Sequence, residues 1–200
     1  MIAQDDETVV QAVQDGQKEA FAGLVERHKE SVYGTLMRLT GDPQVAEELA
    51  HETFVRAYQS LASFRGEARF GTWLIRIAIN LARDHLRERR RDRTISLEAM
   101  LERDPDSPVF VEHRAGSDPS SEVGARDLVE QFETALRELP DGYCEVFVLH
   151  HVQSMSYEDI AAATGDSVGS LKVRAHRARK LLRERLFPES KVVTPENVEG

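Results

Sequence analysis

The segment 69–91, RFGTWLIRIAINLARDHLRERRR, mixes apolar and cationic residues in one unbroken run, and the spacing that separates them is helical. On a wheel of about 100° per residue, Asn80, Arg83, Arg87 and Arg90 fall within roughly 40° of Arg76. Leu74, Ile77, Ala78, Leu81 and Ala82 take the other side. A helix divided in this way needs other helices to cover its apolar side, and it offers its arginines to water or to a polyanion.

The same periodicity runs through the chain. Phe21, Leu24, Val25, Val32, Leu36 and Leu39 recur at three- and four-residue spacing until Gly41-Asp42-Pro43 interrupts them. Asp42 before Pro43 predicts an N-cap with proline in the first turn, opening a helix through Val45, Leu49, Phe54 and Tyr58. Residues 64–71, with glycines at 66 and 71, break the pattern, and Thr72 is expected to cap the arginine-bearing helix. Pro105, Pro108, Gly116 and Pro119 mark 94–124 as a linker whose only apolar cluster is Val109-Phe110-Val111. A second helical block opens at Ala125, with one stripe of Val129, Phe132, Leu136 and Leu139 and another of Val146, Phe147, Leu149 and Val152. The expected fold is all-α: helical domains at 1–93 and 125–187, joined by a flexible linker at 94–124. The tail at 188–200 is too short for a further domain.

The second block ends in a recognisable pattern. Ser156 with Asp159 three residues on forms a variant capping box, the short helix that follows ends at Gly165, and Ser167 caps a long helix reaching about Leu186. Two helices on a tight glycine turn, the second crowded with Lys172, Arg174, Arg177, Arg179, Lys180, Arg183 and Arg185, make a helix-turn-helix whose recognition helix is basic. Its early residues Ser170, Lys172, Val173, His176 and Arg177 stand nearest a DNA groove.

Charge is partitioned in the same way. The chain of 200 residues carries a net −9, which alone argues against nucleic acid, but segments 56–93 and 171–185 each carry +6 while 127–170 carries −8. With 40% hydrophobic and 30% charged residues the chain can bury a core. No apolar run approaches the ~18 residues of a bilayer span, and the start MIAQDDETVV is acidic where a signal peptide is basic, so a cytoplasmic protein without membrane insertion is expected. The single Cys144 excludes an internal disulfide and reads as a buried thiol. Neither His150-His151 nor His51-Glu52 has the companion ligands of a metal site. No phosphate-cradling glycine loop, nucleophile elbow or carboxylate pair is evident, so no catalytic residue, metal or cofactor is assigned. Asn80, alone among cations, offers paired donor and acceptor atoms suited to a base edge. Phe64, Phe70 and Trp73 beside it could stack on unpaired bases or equally serve the core.

Taken together, 64–80, FRGEARFGTWLIRIAIN, 155–161, MSYEDIA, and 168–180, VGSLKVRAHRARK, resemble the extracytoplasmic-function (ECF) sigma factors of bacterial RNA polymerase. The resemblance implies a non-enzymatic factor that directs core polymerase to promoters, often in a stress response. It makes the first block domain 2, which melts and reads the minus-10 element through Phe64, Arg65, Phe70, Arg76, Ile77, Asn80, Arg83 and Arg87. The second becomes domain 4, which reads the minus-35 element through Ser170, Lys172, Val173, Arg174, His176, Arg177 and Lys180 and rests on the β flap. Glu47, Glu48, His51, Glu52, Phe54, Arg56 and Tyr58 fall where the family docks on the β′ clamp helices. An anti-sigma factor is a further implied partner. His51 stands where the family usually has glutamine, Val173 where it has serine, and Ala175 where it has a larger apolar residue, so no minus-35 sequence preference carries over. Two other classes fit parts of the pattern: a self-sufficient helix-turn-helix regulator, and a helical scaffold that binds only proteins.

Overall fold

In a computed structural model, residues 5–103 and 125–188 are described, with side chains for all of these except 92–103, 125–127 and 141. The described residues form α-helices α1 (Asp6–Gln14), α2 (Phe21–Thr40), α3 (Pro43–Ser60), α4 (Phe70–Arg103), α5 (Ala125–Arg137), α6 (Asp141–Phe147), α7 (Tyr157–Thr164) and α8 (Val168–Leu186). No strand occurs among them.

The caps are local chemistry. Asp42 accepts hydrogen bonds from the backbone N–H groups of Gln44 and Val45 at 3.0 and 3.3 Å, with Pro43 behind it where no N–H is needed. Gly41, at φ 67°, ends α2 in the left-handed conformation that a side chain would disfavour. Buried Thr35, Thr40 and Thr53 return their hydroxyls to the carbonyls of Ser31, Leu36 and Leu49 at 2.7–2.9 Å, which removes the cost of burying them.

Four details differ from the sequence expectation. The arginine-bearing helix begins at Phe70, with Trp73 N–H donating to the Arg69 carbonyl at 3.1 Å, so Thr72 lies inside the first turn and is not its cap. Gly71 is accommodated there because its bare Cα faces the His28 ring; an added Cβ would come within 3.2 Å of it. The helix continues to Arg103, ten residues into the expected linker, because no proline or glycine interrupts it before Pro105. In the second block, Val129 is 61% exposed, so the buried stripe of α5 begins at Phe132. The apolar run after α6 is a π-helical turn, Val148–Val152, which buries Val148 and Leu149 and leaves Val152 exposed.

The largest apolar cluster belongs to both blocks. Leu24, Val32 and Leu36 of α2 and Phe70, Leu74, Ile75, Ala78, Ile79 and Ala82 of α4 share it with Val146, Leu149, Met155, Ile160 and Leu171 of the second block. A smaller cluster of Ala135, Leu136, Leu139, Cys144, Val148, Ala178 and Leu182 holds α5, α6 and α8 together. Helix α4 packs on α2 and α3 and also on α7. Gln153 reinforces the junction: it accepts from the Ser31 hydroxyl at 3.0 Å and donates to the Thr35 hydroxyl at 2.6 Å.

Leu36 is wholly enclosed, whereas Leu181 on α8 is 40% exposed. Leu36→Ala should therefore cost about 3 kcal/mol, and Leu181→Ala under about 1 kcal/mol, when the two are compared by urea denaturation. Equal losses would contradict this placement of the core.

Candidate nucleic-acid interface

The loop before α4 is built on an aromatic base. Phe70 is only 1% exposed and belongs to the core, where it meets His28 edge-on at 5.3 Å between ring centroids. On it rest Phe64, at 6.0 Å, and Trp73, at 5.7 Å, and these two are themselves 5.0 Å apart. Phe64 and Trp73 are half-buried, so each keeps part of its ring accessible. Gln14 of α1 pins the loop by donating to the carbonyls of Leu61 and Phe64 at 2.9 and 3.1 Å, and Gly66 turns it at φ 73°. Above lies a cleft of about 370 Å³ lined by Ser63, Phe64, Arg65, Glu67, Ala68, Trp73 and Arg76. Aromatic walls and two arginines suit an unpaired base with its phosphate.

From this cleft the polar stripe of α4 runs along the helix, and the second block covers part of it. Asn80 is exposed, as is Arg87, whose neighbour Asp84 accepts from it at 3.0 Å. Ile77 is half-buried. Arg76 donates to Asp159 of α7 at 2.5 Å. All three nitrogens of Arg83 are engaged: its Nε and Nη2 donate to the two oxygens of Glu145 at 2.6 and 3.0 Å, Nη2 also to Asp166 at 2.9 Å, and Nη1 to the Thr164 carbonyl at 2.7 Å. Burial works against the Arg83 charge, but the hydrogen bonds and charges of Glu145 and Asp166 outweigh it and hold the guanidinium above its ordinary pKa. Arg38 of α2 makes a fourth link, to Glu133 of α5 at 2.6 Å. Sequence reasoning found the arginines and missed these carboxylates as their partners. The only trace of them in the sequence is the −8 of segment 127–170 set against the +6 of 56–93.

The helix-turn-helix is formed by the expected caps. The Ser156 hydroxyl accepts from Asp159 N–H at 3.0 Å, Gly165 turns at φ 75°, and Ser167 accepts from Ser170 N–H at 3.2 Å. Leu171, Ala175, Ala178 and Leu182 are buried, which turns Lys172, Val173, His176, Arg177 and Lys180 outward, with Ser170 half-buried at the start. Arg177 donates to the Tyr143 hydroxyl at 3.2 Å. Arg174 differs from this outward set: it turns back to Asp166, with Nη2 and Nη1 donating at 2.7 and 3.1 Å. The Arg174 hydrogen bond, then Arg83, hold the Asp166 carboxyl down at about 2, against the opposing effect of burial.

On α3, Glu47, Glu48, His51 and Arg56 are exposed, Glu52 and Phe54 are half-buried, and Tyr58 is exposed with its ring edge on Phe21 at 5.1 Å. Glu52 and Arg56 pair at 2.7 Å. This is an acidic surface with aromatic edges. His150 stacks on Tyr157 at 4.1 Å, and its Nδ1 is 2.9 Å from the Met155 carbonyl. Among the described residues no group of histidine, cysteine and acidic side chains is placed to hold a metal ion. Cys144 is buried, its thiol 3.6 Å from the Arg38 carbonyl, and burial pushes its pKa up to about 12. No helix among the described residues is long and apolar enough to cross a membrane.

Residues 24–92 match Sigma-70 region 2, and residues 129–182 match Sigma-70, region 4. Two such regions in one chain define a non-enzymatic transcription initiation factor that binds DNA. The chain is 35% identical to the RNA polymerase sigma-H factor of Pseudomonas aeruginosa, with 94% of this chain and 97% of that one aligned. It is 33% identical to the ECF RNA polymerase sigma factor SigW of Bacillus subtilis, with 88% and 94% aligned. Among solved structures, CnrH in complex with the cytosolic domain of CnrY is similar at a TM-score of 0.61 and 25% identity, covering 92% of this chain and 99% of that one. The sigma factor RpoE in complex with the anti-sigma factor NepR from Bartonella quintana shares the fold, with a TM-score of 0.62 at 24% identity over 86% and 98% of the two chains. The protein belongs to the ECF sigma factors and directs RNA polymerase to promoters.

Because the Asp166 carboxyl is held near 2 in the folded protein, against an ordinary 3.8, its contribution to stability is complete above about pH 4 and is lost as pH falls through about 2. Asp166→Asn should therefore lower the urea midpoint at pH 6, with the gap to the parent closing between pH 4 and 2. A gap that does not change with pH would contradict the assignment.

Proposed function

We propose that the cleft before α4 and the polar stripe of α4 read the unpaired minus-10 strand, through Phe64, Arg65, Arg76, Ile77, Asn80, Arg83 and Arg87. Phe70 serves this site from beneath, as the base on which Phe64 and Trp73 stand. The observation that carries the reading is Asn80: an exposed amide on a cationic helix face, one turn from an aromatic-walled cleft. Arginines hold phosphates without distinguishing sequence, whereas an amide pairs with base edges. In the second block, Ser170, Lys172, Val173, His176, Arg177 and Lys180 face the minus-35 major groove, and Arg174 joins them once it leaves Asp166. The proposed domains are 1–93 and 125–187, with the end of α4 reaching into the segment 94–124 between them.

Polymerase docking is assigned to two surfaces. The acidic and aromatic face of α3, with Glu47, Glu48, His51, Glu52, Phe54, Arg56 and Tyr58, meets the β′ clamp helices, and the second block rests on the β flap. An anti-sigma factor is the expected restraint, as in the complexes of CnrH with CnrY and of RpoE with NepR. Its work with polymerase supports a cytoplasmic location.

Run-off transcription with core polymerase tests the reading. The protein should yield defined start sites on promoter DNA, and Asn80→Ala should reduce discrimination between cognate and altered minus-10 elements by about tenfold, within the ~1–3 kcal/mol of a bidentate base contact. Binding to core polymerase should be unchanged. Loss of both together would mean a folding role for Asn80, and nanomolar duplex binding by the protein alone would favour a self-sufficient regulator.

A further inference from the structure

We infer that α1, which contributes no residue to the proposed DNA surface, sets how strictly the minus-10 cleft discriminates between bases. Gln14 and Asp6 are its positioning residues: they hold the two ends of the aromatic loop, Asp6 acting through His28. The inference rests on the assignment of that cleft to the minus-10 strand.

The loop enters from the end of α3 and leaves into α4. Its entry is fixed by Gln14, whose side-chain amide donates to the Leu61 and Phe64 carbonyls at 2.9 and 3.1 Å. Phe64 N–H also donates to the Leu61 carbonyl, at 3.1 Å, so the backbone of Phe64 is held at its N–H and at its carbonyl. Only side-chain torsions are left to its ring. The exit is fixed at Phe70. His28 of α2 meets that ring edge-on at 5.3 Å, and its Nε2 lies 2.7 Å from Asp6 Oδ2. An ionised carboxylate only accepts, so Nε2 carries the proton, and the imidazole cannot swing away from Phe70 without losing this bond. The other Asp6 oxygen accepts from Arg27 at 2.7 Å, which steadies the carboxylate. Cε1 of the same imidazole is pressed against Gly71 in the first turn of α4, where an added Cβ would come within 3.2 Å.

Helix α1 can act as a clamp because it is itself anchored. Asp5 caps it by accepting from Thr8 N–H at 2.8 Å, and Val9, Val10 and Val13 are buried in the large apolar cluster. Asp6 and Gln14 are the first and last of its nine residues, so one rigid element of about 12 Å connects the two points of attachment. Both lie before residues 24–92, the part of the chain that matches Sigma-70 region 2. The mechanical consequence falls on Phe64 and Trp73, which stand on Phe70 and wall the cleft. A loose wall relaxes around a wrong base, whereas a fixed wall makes the misfit cost its full value.

Trp73 is the chain's one tryptophan and rests on Phe64 and Phe70, so its emission reads loop packing in the full-length protein without DNA. Discrimination is read as the ratio of run-off transcript from a cognate promoter to that from one with a substituted minus-10 base, both with core polymerase. Gln14→Glu keeps the shape but sets an acceptor against two carbonyls; it should move Trp73 emission to longer wavelength and lower discrimination about fivefold, and Gln14→Ala about threefold, the scale of a hydrogen bond. Asp6→Ala should match Gln14→Ala. Glu7→Ala removes an equal charge from the same turn at an exposed position and should leave both readouts unchanged. Affinity for core polymerase should stay constant in all four variants. Parental Trp73 emission in Gln14→Glu would overturn the clamp. So would an effect of Glu7→Ala equal to that of Asp6→Ala, or a loss of polymerase affinity in step with discrimination. Discrimination lowered by Asn80→Ala but not by Gln14→Glu refutes the clamp alone; discrimination lowered by neither refutes the DNA assignment beneath it.

Discussion

Arg83 needs partners. It lies on a helix whose buried residues pack into an apolar cluster shared by both blocks, and a guanidinium in that position is tolerable only if its donors are satisfied. Glu145, Asp166 and the Thr164 carbonyl do this, and each belongs to the second block. The relative placement of the blocks thus follows from one half-buried cation and the apolar residues beside it. Shifting α7 by a turn would strand Arg83, and the helix-turn-helix geometry fixes where Asp166 can stand. Partly exposed ion pairs of this kind stabilise modestly, and their larger effect is on register: Leu and Ile contacts would allow many dockings, whereas the Arg83 and Arg76 pairs select one.

Much of this was legible in the residues. The three- and four-residue spacing located the helices, Asp42, Ser156 and Ser167 cap where expected, and the buried side of α8 is Leu171, Ala175, Ala178 and Leu182 as the wheel requires. These features are local, governed by backbone hydrogen bonds and by one side of a helix facing a core, so a linear sequence carries them. Misplaced boundaries were also local but depended on distant neighbours. Gly71 looked like a break, yet it is the residue that lets the His28 ring approach the first turn of α4. Val129 looked like part of a stripe, but the packing of the described residues leaves it 61% exposed.

The candidate site divides along the same line. Its cations, the amide of Asn80 and the aromatic residues of the loop are visible as residue types at helical spacing. That Phe70 sits beneath while Phe64 and Trp73 stand partly open is a three-body matter of rings packing on rings, and no spacing rule assigns those depths.

The sequence by itself determined most of the helices, the caps at Asp42, Ser156 and Ser167, the polarity of α4 and α8 and the family, because these depend on residues within a few turns of one another or on motifs read in order. Only the tertiary structure decided which arginines are available. Arg76, Arg83 and Arg174 are indistinguishable from Arg87 and Arg177 by spacing and charge. They differ because carboxylates 8 to 83 residues away in sequence reach the first three and not the others, and Coulomb attraction acts through space without regard to chain order.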